Sequence, residues 1–386
     1  MYWSLLFAAI LLSGCSTKIK MEVDLGKVSE SEKFHELLED QWEKGIVENP
    51  EWATRLGDNR FNDKLNDASY EMVLKRQDDS RTLLKKVKLI DRSALDKEDQ
   101  LNYDLYIDRI KQSIEGYAFQ SYLMPIDQMG GIQIGFAGIS NYMPFKTKKD
   151  YNNYLSRLKA FPEKVSQTID LMKRGLESGW LPPKIVLSAV SEQISSQFDT
   201  PINESPLFQP FKEFPESIQM DEQQDLIDRV KIIIGDEVYP AYRSLHSFFT
   251  QKYLPQCREA IACSNLPNGM DYYQYQIKSY TTTALTPEAI HQIGLDEVAR
   301  IKEEMIVVKN STDFDGDFNE FLNFLRTDPR FYHKTEEELL DGYRVICKKA
   351  DAQLPKFFGR LPRLPYGVKA IPDYQATASP TAYYYS

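Results

Sequence analysis

Apolar residues recur at steps of three and four along most of the chain after residue 30, which is the spacing of one face of an α-helix. The longest stripe predicts one helix, or two helices joined at Pro162, ending near Gly179; its apolar positions are Tyr151, Tyr154, Leu155, Leu158, Val165, Ile169, Met172 and Leu176. Other stripes predict a helix that starts at Ser31 and ends before Pro50, and a helix between Pro215 and Pro255 that can kink at Pro240.

Two more helices are predicted near the end of the chain. Thr286 and Pro287 are typical of an N-cap and a first helical turn. A stripe through Leu339, Tyr343, Ile346, Ala350 and Leu354 predicts a last helix from about Thr335 to Phe357. Residues 122–145 are rich in Gly and Met and predict a loop with short extended pieces. No repeat of fixed period and no Gly/Ser linker divides the chain. We therefore expect a mainly α fold, with one large multi-helix domain over residues 31–386.

The N-terminus carries a pattern typical of bacterial lipoprotein signals. Residues 5–12 are apolar or small, a run too short to cross a bilayer, which needs about 20 apolar residues. Leu12-Ser13-Gly14-Cys15 then reads as a lipobox. The interpretation is a signal peptide over residues 1–14, lipidation at Cys15 and a polar tether over residues 15–30. The alternative is a buried N-terminal helix with an ordinary cysteine. Ser16, where Asp would favour inner-membrane retention, points to the outer membrane, facing the periplasm.

Composition narrows the function classes. Charged residues are 27% and hydrophobic residues 42% of the chain, which is typical of a globular protein and not of a disordered or polytopic membrane protein. The net charge is −10 and is spread along the chain, so nucleic-acid binding, which needs clustered Lys and Arg, is not expected. Four cysteines are too few for a disulfide-built scaffold. Cys257 and Cys263 would be about 9 Å apart in a helix, beyond disulfide reach, but a turn between them would allow pairing.

The residues themselves offer no catalytic motif. The four histidines, His35, His246, His291 and His333, contain no pair four residues apart, as a zinc-binding HExxH helix requires. The segment from His35 to Glu39 is the nearest approach, and its Glu-rich composition favours a solvated helix face. No G-x-S-x-G nucleophile elbow, P-loop or G-x-G-x-x-G loop is present. No catalytic residue and no metal ligand is therefore assigned.

Several segments together resemble bacterial domain-of-unknown-function family 885. They are residues 155–183 (LSRLKAFPEKVSQTIDLMKRGLESGWLPP), residues 285–305 (LTPEAIHQIGLDEVARIKEEM), the Leu266–Gly269 turn with the tyrosines after it, Tyr280–Thr283, Leu361–Tyr366 and Ser379–Tyr385. The similarity runs from about residue 31 to the end. It implies a longer, mainly helical envelope lipoprotein that is similar to zinc metallopeptidases of the carboxypeptidase-like gluzincin type.

In that family the activity depends on an HE-x-x-PGHH-type helix some tens of residues after the AYY segment, and this chain stops at Ser386, before it. The resemblance therefore implies the N-terminal part of a zinc-dependent peptidase-like protein, without catalysis by itself. Zinc is expected for the complete protein and a peptide as its substrate. Tyr280, Thr281, Thr282, Thr283 and Tyr384 are candidates for lining the cleft, as hydroxyl donors. The alternative is a non-catalytic, lipid-anchored helical binding or scaffold protein. A serine-dependent transferase or esterase has no supporting motif.

Overall fold

Helices make up the regular structure of residues 28–371 and 382–384, which are the part of the chain that the computed structural model describes. In chain order they are α1 (Glu30–Glu48), α2 (Pro50–Arg55), α3 (Tyr70–Val87), α4 (Lys97–Gly116), α5 (Ile132–Gly135), α6 (Lys148–Ser178), α7 (Val190–Asp199), α8 (Met220–Ile233), α9 (Tyr239–Phe248), α10 (Gly269–Thr281), α11 (Pro287–Asn310), α12 (Phe318–Thr327), α13 (Glu336–Asp351) and α14 (Leu354–Phe357). Within these described ranges no strand forms, and a single isolated bridge joins Pro183 and Arg258. The predicted mainly α fold is confirmed.

Helix starts follow their capping residues, with one difference from the prediction. α1 begins at Glu30, one residue before the predicted start at Ser31, because Ser29 is the N-cap and forms a capping box with Glu32. The Ser29 hydroxyl accepts from the Glu32 N–H at 3.1 Å, and the Glu32 carboxylate accepts from the Ser29 N–H at 2.7 Å. The predicted start of α11 is confirmed, since the Thr286 hydroxyl accepts from the Ala289 N–H at 3.2 Å.

The long predicted stripe is one helix, α6, and it forms the centre of the fold. The helix continues through Pro162 and ends at Gly179, whose φ of +78° is a left-handed conformation that glycine adopts without strain. Gly175, near its end, lies so close to the Trp180 carbonyl that a Cβ there would be 2.9 Å from the oxygen. Along its length α6 packs against α3, α8 and α9.

The helix predicted between Pro215 and Pro255 is divided by two π-helical turns. The first, Ile234–Val238, separates α8 from α9, and the second, Phe249–Tyr253, follows α9. Each turn comes just before a proline, Pro240 or Pro255. A proline cannot donate the N–H that the α-helical ladder needs, so a local change of helix type is expected at these positions.

Three clusters of buried side chains hold α1–α10 together. The largest lies between α6, α7, α8 and α9; in it the Phe136 and Phe161 rings stack with centroids 4.0 Å apart. A second joins α1, α3 and α4 around Phe34, which is fully buried. A third, around Trp180, extends to Tyr272 of α10. We call α1–α10 the helical body.

Residues 122–145 were predicted as a loop with short extended pieces, and the extended pieces do not form. Short helical turns occupy the segment instead: α5 and the 3₁₀ turns Ser121–Leu123 and Ile139–Tyr142. The Asp127 carboxylate accepts from the N–H groups of Met129 and Gly130 at 2.7 and 2.8 Å. The Asp127 side chain thus holds residues 127–130 in a tight turn and not in an extended conformation.

The remaining helices, α11–α14, differ from the body, and we call them the terminal helices. After Ile277, no residue of the described segments 278–371 and 382–384 is buried. α11 packs against its chain neighbours α10 and α12, and α13 packs against α14. The single helix predicted from Thr335 to Phe357 is two helices, since α13 ends at Asp351. Cys347 of α13 is a half-buried free thiol.

Candidate functional site

A cavity of about 320 Å³ lies in the helical body between α2, α5, α6 and the Ile139–Tyr142 turn. Three of its lining residues are cationic, namely Arg55, Arg157 and Lys164, and one, Glu51, is a carboxylate. Like charges in one small cavity repel each other, so each of these cations must be stabilised by a hydrogen bond, a carboxylate, an aromatic ring or a bound anion. We call this site the basic cavity.

Arg157 of α6 is the most unusual residue of the basic cavity, because its side chain is 0% exposed. Its Nε donates to the Lys64 carbonyl at 2.8 Å. Its Nη2 donates to the Thr54 hydroxyl at 2.7 Å and to the Pro50 carbonyl at 3.0 Å. These bonds fix the irregular chain around α2 to the middle of α6. Nη1, with two N–H groups, is buried and has no hydrogen-bond partner among the described residues.

The charge of Arg157 is also not neutralised by a neighbouring side chain. None of the ion pairs formed by the described residues includes Arg157. Burial lowers the pKa of its guanidinium, and the negative charges of Glu51 and Asp63 act in the opposite direction. Arginine nevertheless stays protonated in proteins, so a charged group is held in the interior without a paired carboxylate. Such burial is costly unless something compensates the charge.

The other charged residues of the basic cavity have partners. Lys164 forms an ion pair with the Glu51 carboxylate and contacts the Asn66 side-chain oxygen. Glu51 also accepts from the Asn66 N–H at 3.0 Å. The Arg55 guanidinium lies over the Tyr142 ring, 4.5 Å from its centroid, a cation–π contact. Glu51 is therefore already engaged by Lys164, which leaves the buried Arg157 without a carboxylate partner among the described residues.

The rest of the cavity wall combines apolar residues with three hydroxyl side chains, those of Thr54, Tyr142 and Thr168. Pro125, Ile132, Phe136 and Ile139 line it, and Phe136 and Ile139 are buried. A few polar groups converging on an apolar wall are typical of small-molecule sites, which usually have volumes of roughly 300–1,000 Å³. The arrangement can bind an anion that also carries an apolar part.

Sequence reasoning missed this site, although one signal was present. Arg157, Lys164 and Thr168 follow one another at seven and four residues, which places them on one face of α6. Basic side chains are unexpected on a helix face that is otherwise apolar and buried. Arg157 and Lys164 on this face of α6 therefore indicate a candidate binding site in addition to core packing. The partners of Arg157 near residues 50–64 could not be read from any local pattern.

The predicted cleft residues lie elsewhere. Tyr280 is 83% exposed and Tyr384 is 81% exposed. The Thr281 hydroxyl bonds to the Ile277 carbonyl at 2.7 Å and contacts the Thr283 hydroxyl at 2.8 Å, while Thr282 ends α10 in a left-handed conformation. These threonines thus shape the connection between α10 and α11. None of the predicted residues lines the basic cavity, and their assignment to a cleft stays a prediction. Cys15 lies outside the described residues.

Two histidines each contact one polar side chain, and the cysteines of the described residues are free thiols. His35 Nε2 lies 2.8 Å from the buried carboxylate of Asp99, and His246 Nε2 lies 3.1 Å from the Ser191 hydroxyl. Cys257 is a buried free thiol that donates to the Tyr253 carbonyl, and Cys263 is also free. Among the described residues no group of three His, Cys, Asp or Glu side chains could hold a metal ion.

Comparison with known proteins decides the family. Residues 50–386 match the family described as "Bacterial protein of unknown function (DUF885)". The chain belongs to DUF885. The resemblance seen in the sequence is thereby confirmed over residues 50–386. A comparison with curated proteins finds no match.

The DUF885 chain is also similar to a solved structure, the crystal structure of "the putative lipoprotein from Colwellia psychrerythraea". The TM-score is 0.77 at 22% sequence identity, and the match covers 88% of this chain and 62% of that chain. At this identity the likeness shows a shared fold. The DUF885 chain thus spans less than two thirds of that longer protein. Within residues 28–371, no helix is both long enough and apolar enough to cross a membrane.

Proposed function

We propose that this chain forms the helical N-terminal part of a zinc-dependent, peptidase-like lipoprotein of the bacterial cell envelope. The observation that carries the proposal is the exposed apolar surface of the terminal helices. On α11 and α13 the apolar residues at least 40% exposed are Ile293, Leu295, Val298, Ile301, Met305, Val307, Val308, Leu339, Val345 and Ile346. Amphipathic helices derive most of their stability from burying such residues.

Exposed apolar surface of this extent is typical of an interface. The DUF885 assignment and the greater length of the Colwellia psychrerythraea protein favour one occupant, which is a further segment of the same polypeptide. In this proposal the terminal helices pack against the segment that bears the HExxH-type helix. They would form one wall of the substrate cleft, with Tyr280 at the start of that wall.

The described residues do not fit a zinc site by themselves, because they contain no group of three suitable ligands. The contribution proposed for this chain is therefore packing and shape. A bound zinc would polarise a peptide carbonyl and lower the pKa of a water, and its ligands would come from the further segment.

The test is to express the complete reading frame and to measure zinc and peptide hydrolysis together. We expect about one zinc per chain and hydrolysis of a peptide mixture that a chelator abolishes. The 386-residue chain is the matched control and should show neither. Stoichiometric zinc with peptidase turnover in the control, or a reading frame that continues without an HExxH motif, would contradict the proposal.

The second candidate is the lipid-anchored scaffold, in which the terminal helices bind a different protein. It is favoured by the same exposed surface. The zinc measurement separates the two, because a scaffold predicts no stoichiometric metal in the complete product.

Envelope anchoring through Cys15 belongs to both candidates. It is supported by the lipobox, and we propose the outer membrane as the address because Ser16 follows the cysteine. Palmitate labelling of the wild-type chain should be lost in Cys15→Ala, and the variant should leave the membrane fraction. A Cys15→Ala protein that stays in that fraction would contradict the anchor.

A further inference from the structure

We propose that the basic cavity binds the carboxylate of a small organic acid whose remaining part is apolar. The proposal is independent of zinc and of the terminal helices. It rests on three observations: Arg157 is buried without a carboxylate partner in the described part of the chain, Arg55 and Lys164 add positive charge to the same cavity, and apolar side chains form part of its wall.

The first step concerns the donor that an anion would meet. Arg157 lines the cavity, and its Nη1 has no acceptor among the described residues. Its other two nitrogens are held by Lys64, Thr54 and Pro50, so the guanidinium is fixed before any ligand arrives. A fixed donor loses little conformational entropy on binding. Charge-assisted hydrogen bonds from guanidinium to carboxylate are among the strong ones.

The second step concerns charge. Arg55, Arg157 and Lys164 face one carboxylate, Glu51, and Lys164 already uses it. A bound anion would compensate the charge that burial leaves uncompensated on Arg157. Arg55, on the more exposed side, adds attraction for an incoming anion.

The third step concerns the class of anion. The side chains of Pro125, Ile132, Phe136 and Ile139 offer no donors. The hydroxyls of Thr54 and Thr168, which also line the cavity, already donate to the Pro50 and Lys164 carbonyls. A phosphate dianion, by contrast, has three or more oxygens to satisfy. One free nitrogen and apolar walls suit a monoanion with an apolar body. About 320 Å³ admits a short branched or aromatic acid.

The experiment measures binding to the 386-residue chain by calorimetry. The probe is 4-methylpentanoate, with 4-methylpentanamide as its neutral counterpart, acetate as the acid without an apolar body, and inorganic phosphate as the competing anion. We expect the acid to bind at least about tenfold more tightly than the amide, since a hydrogen bond to a charged group is worth roughly 1.5–3 kcal/mol. Acetate and phosphate should bind more weakly than the acid.

Two variants locate the site. Arg55→Gln should weaken 4-methylpentanoate binding, whereas Arg81→Gln, an exposed arginine on α3 that does not line the cavity, should not. Arg157→Met should abolish binding, but it also removes the hydrogen bonds by which Arg157 holds the chain around α2. The guanidinium ¹⁵N resonance of Arg157 in the unaltered protein therefore serves as a second readout and should shift when the acid is added.

Each remaining outcome overturns the proposal. Equal binding of acid and amide would remove the role of charge. Tighter binding of phosphate would replace the proposed ligand class. Binding that leaves the Arg157 resonance unmoved and is insensitive to Arg55→Gln would place the acid elsewhere. A protein that binds none of the four probes would leave buried water as the partner of Nη1.

Discussion

The helical body has ion pairs that join different helices as well as local ones, whereas the described part of the terminal helices has local ion pairs alone. In the body, His35 of α1 contacts Asp99 of α4 at 2.8 Å, and other pairs join α1 to α3, α6 to α8 and α10 to α4. In the described part of the terminal helices each pair is local, within one helix or turn; these pairs are Arg300 with Glu297 and Glu304, Arg330 with Asp328, Arg344 with Asp341, and Lys348 with Asp351.

The difference shows what keeps each region folded. Long-range pairs and buried clusters make the helices of the body depend on one another, so they should unfold together. The terminal helices rest on capping, local pairs and a half-buried aromatic group around Phe314 and Phe324, whose rings lie 5.1 Å apart. They should therefore open at lower cost while the body stays folded.

The largest expected effect comes from two matched leucines. Leu158 of α6 is 0% exposed, and Leu295 of α11 is 52% exposed. Leu158→Ala should lower the free energy of unfolding of the body by about 2–5 kcal/mol, because it removes buried methyl groups and leaves a cavity. Leu295→Ala should change it by about 0.5 kcal/mol or less. Urea denaturation followed by circular dichroism measures both changes. Equal losses of unfolding free energy in the two variants would contradict the difference proposed between the body and the terminal helices.

An intermediate effect should come from the ion pair between α1 and α4. The hydrogen bond from His35 lowers the pKa of the Asp99 carboxyl below its ordinary value. A lowered folded-state pKa contributes stability above the unfolded pKa, about 3.9, and that contribution is lost as the pH falls through the folded value.

The test compares Asp99→Asn with the wild-type chain across that range. The variant should be less stable at pH 5. The difference should begin to shrink below about pH 4 and should be lost as the pH falls through the lowered pKa of the folded carboxyl, where the wild-type side chain also becomes neutral. Asp341→Asn, which removes a local pair in α13, is the control and should leave the unfolding of the body unchanged. A difference that persists at pH 2 would mean that Asp99 acts through shape and not through charge.

The smallest expected effect separates two helix caps. Thr147 caps α6 with a capping box shared with Asp150, and Thr286 caps α11. Thr147→Ala should lower the stability of the body by about 1 kcal/mol. Thr286→Ala should leave the body unchanged and instead speed amide exchange in the first turn of α11, measured by mass spectrometry. Thr→Ser at each site should restore most of the cap. Loss of body stability in Thr286→Ala would show that α11 is coupled to the body.

The sequence predicted helices well where a stripe and its end signals agree. The stripe of α6 and the stop at Gly179 are both read correctly, and so is the Thr286 cap. The boundary at Ser29 was missed because Ser31 is also a good N-cap residue, and only the geometry with Glu32 distinguishes them. Family membership was predicted from the amino-acid sequences of several segments and from their order along the chain. No single helix contains that information.

The basic cavity could not be predicted in the same way. The apolar periodicity places Arg157 on a buried side of α6, but it does not reveal which groups contact the guanidinium. The carbonyls of Lys64 and Pro50 that bind it come from 93 and 107 residues earlier in the chain. Contacts of that range depend on how helices are arranged, and local sequence does not specify the arrangement.

Because Arg157 binds the carbonyls of Lys64 and Pro50, these contacts can form only after residue 157 has been synthesised. A growing chain is made N-terminal end first at roughly 5–20 residues per second, so α2 waits about 5–20 s before its guanidinium partner exists. Until then the carbonyls around α2 have only water or temporary partners. A pause between codons 64 and 157 would lengthen that exposure, and a chaperone that shields residues 50–64 would act at this stage.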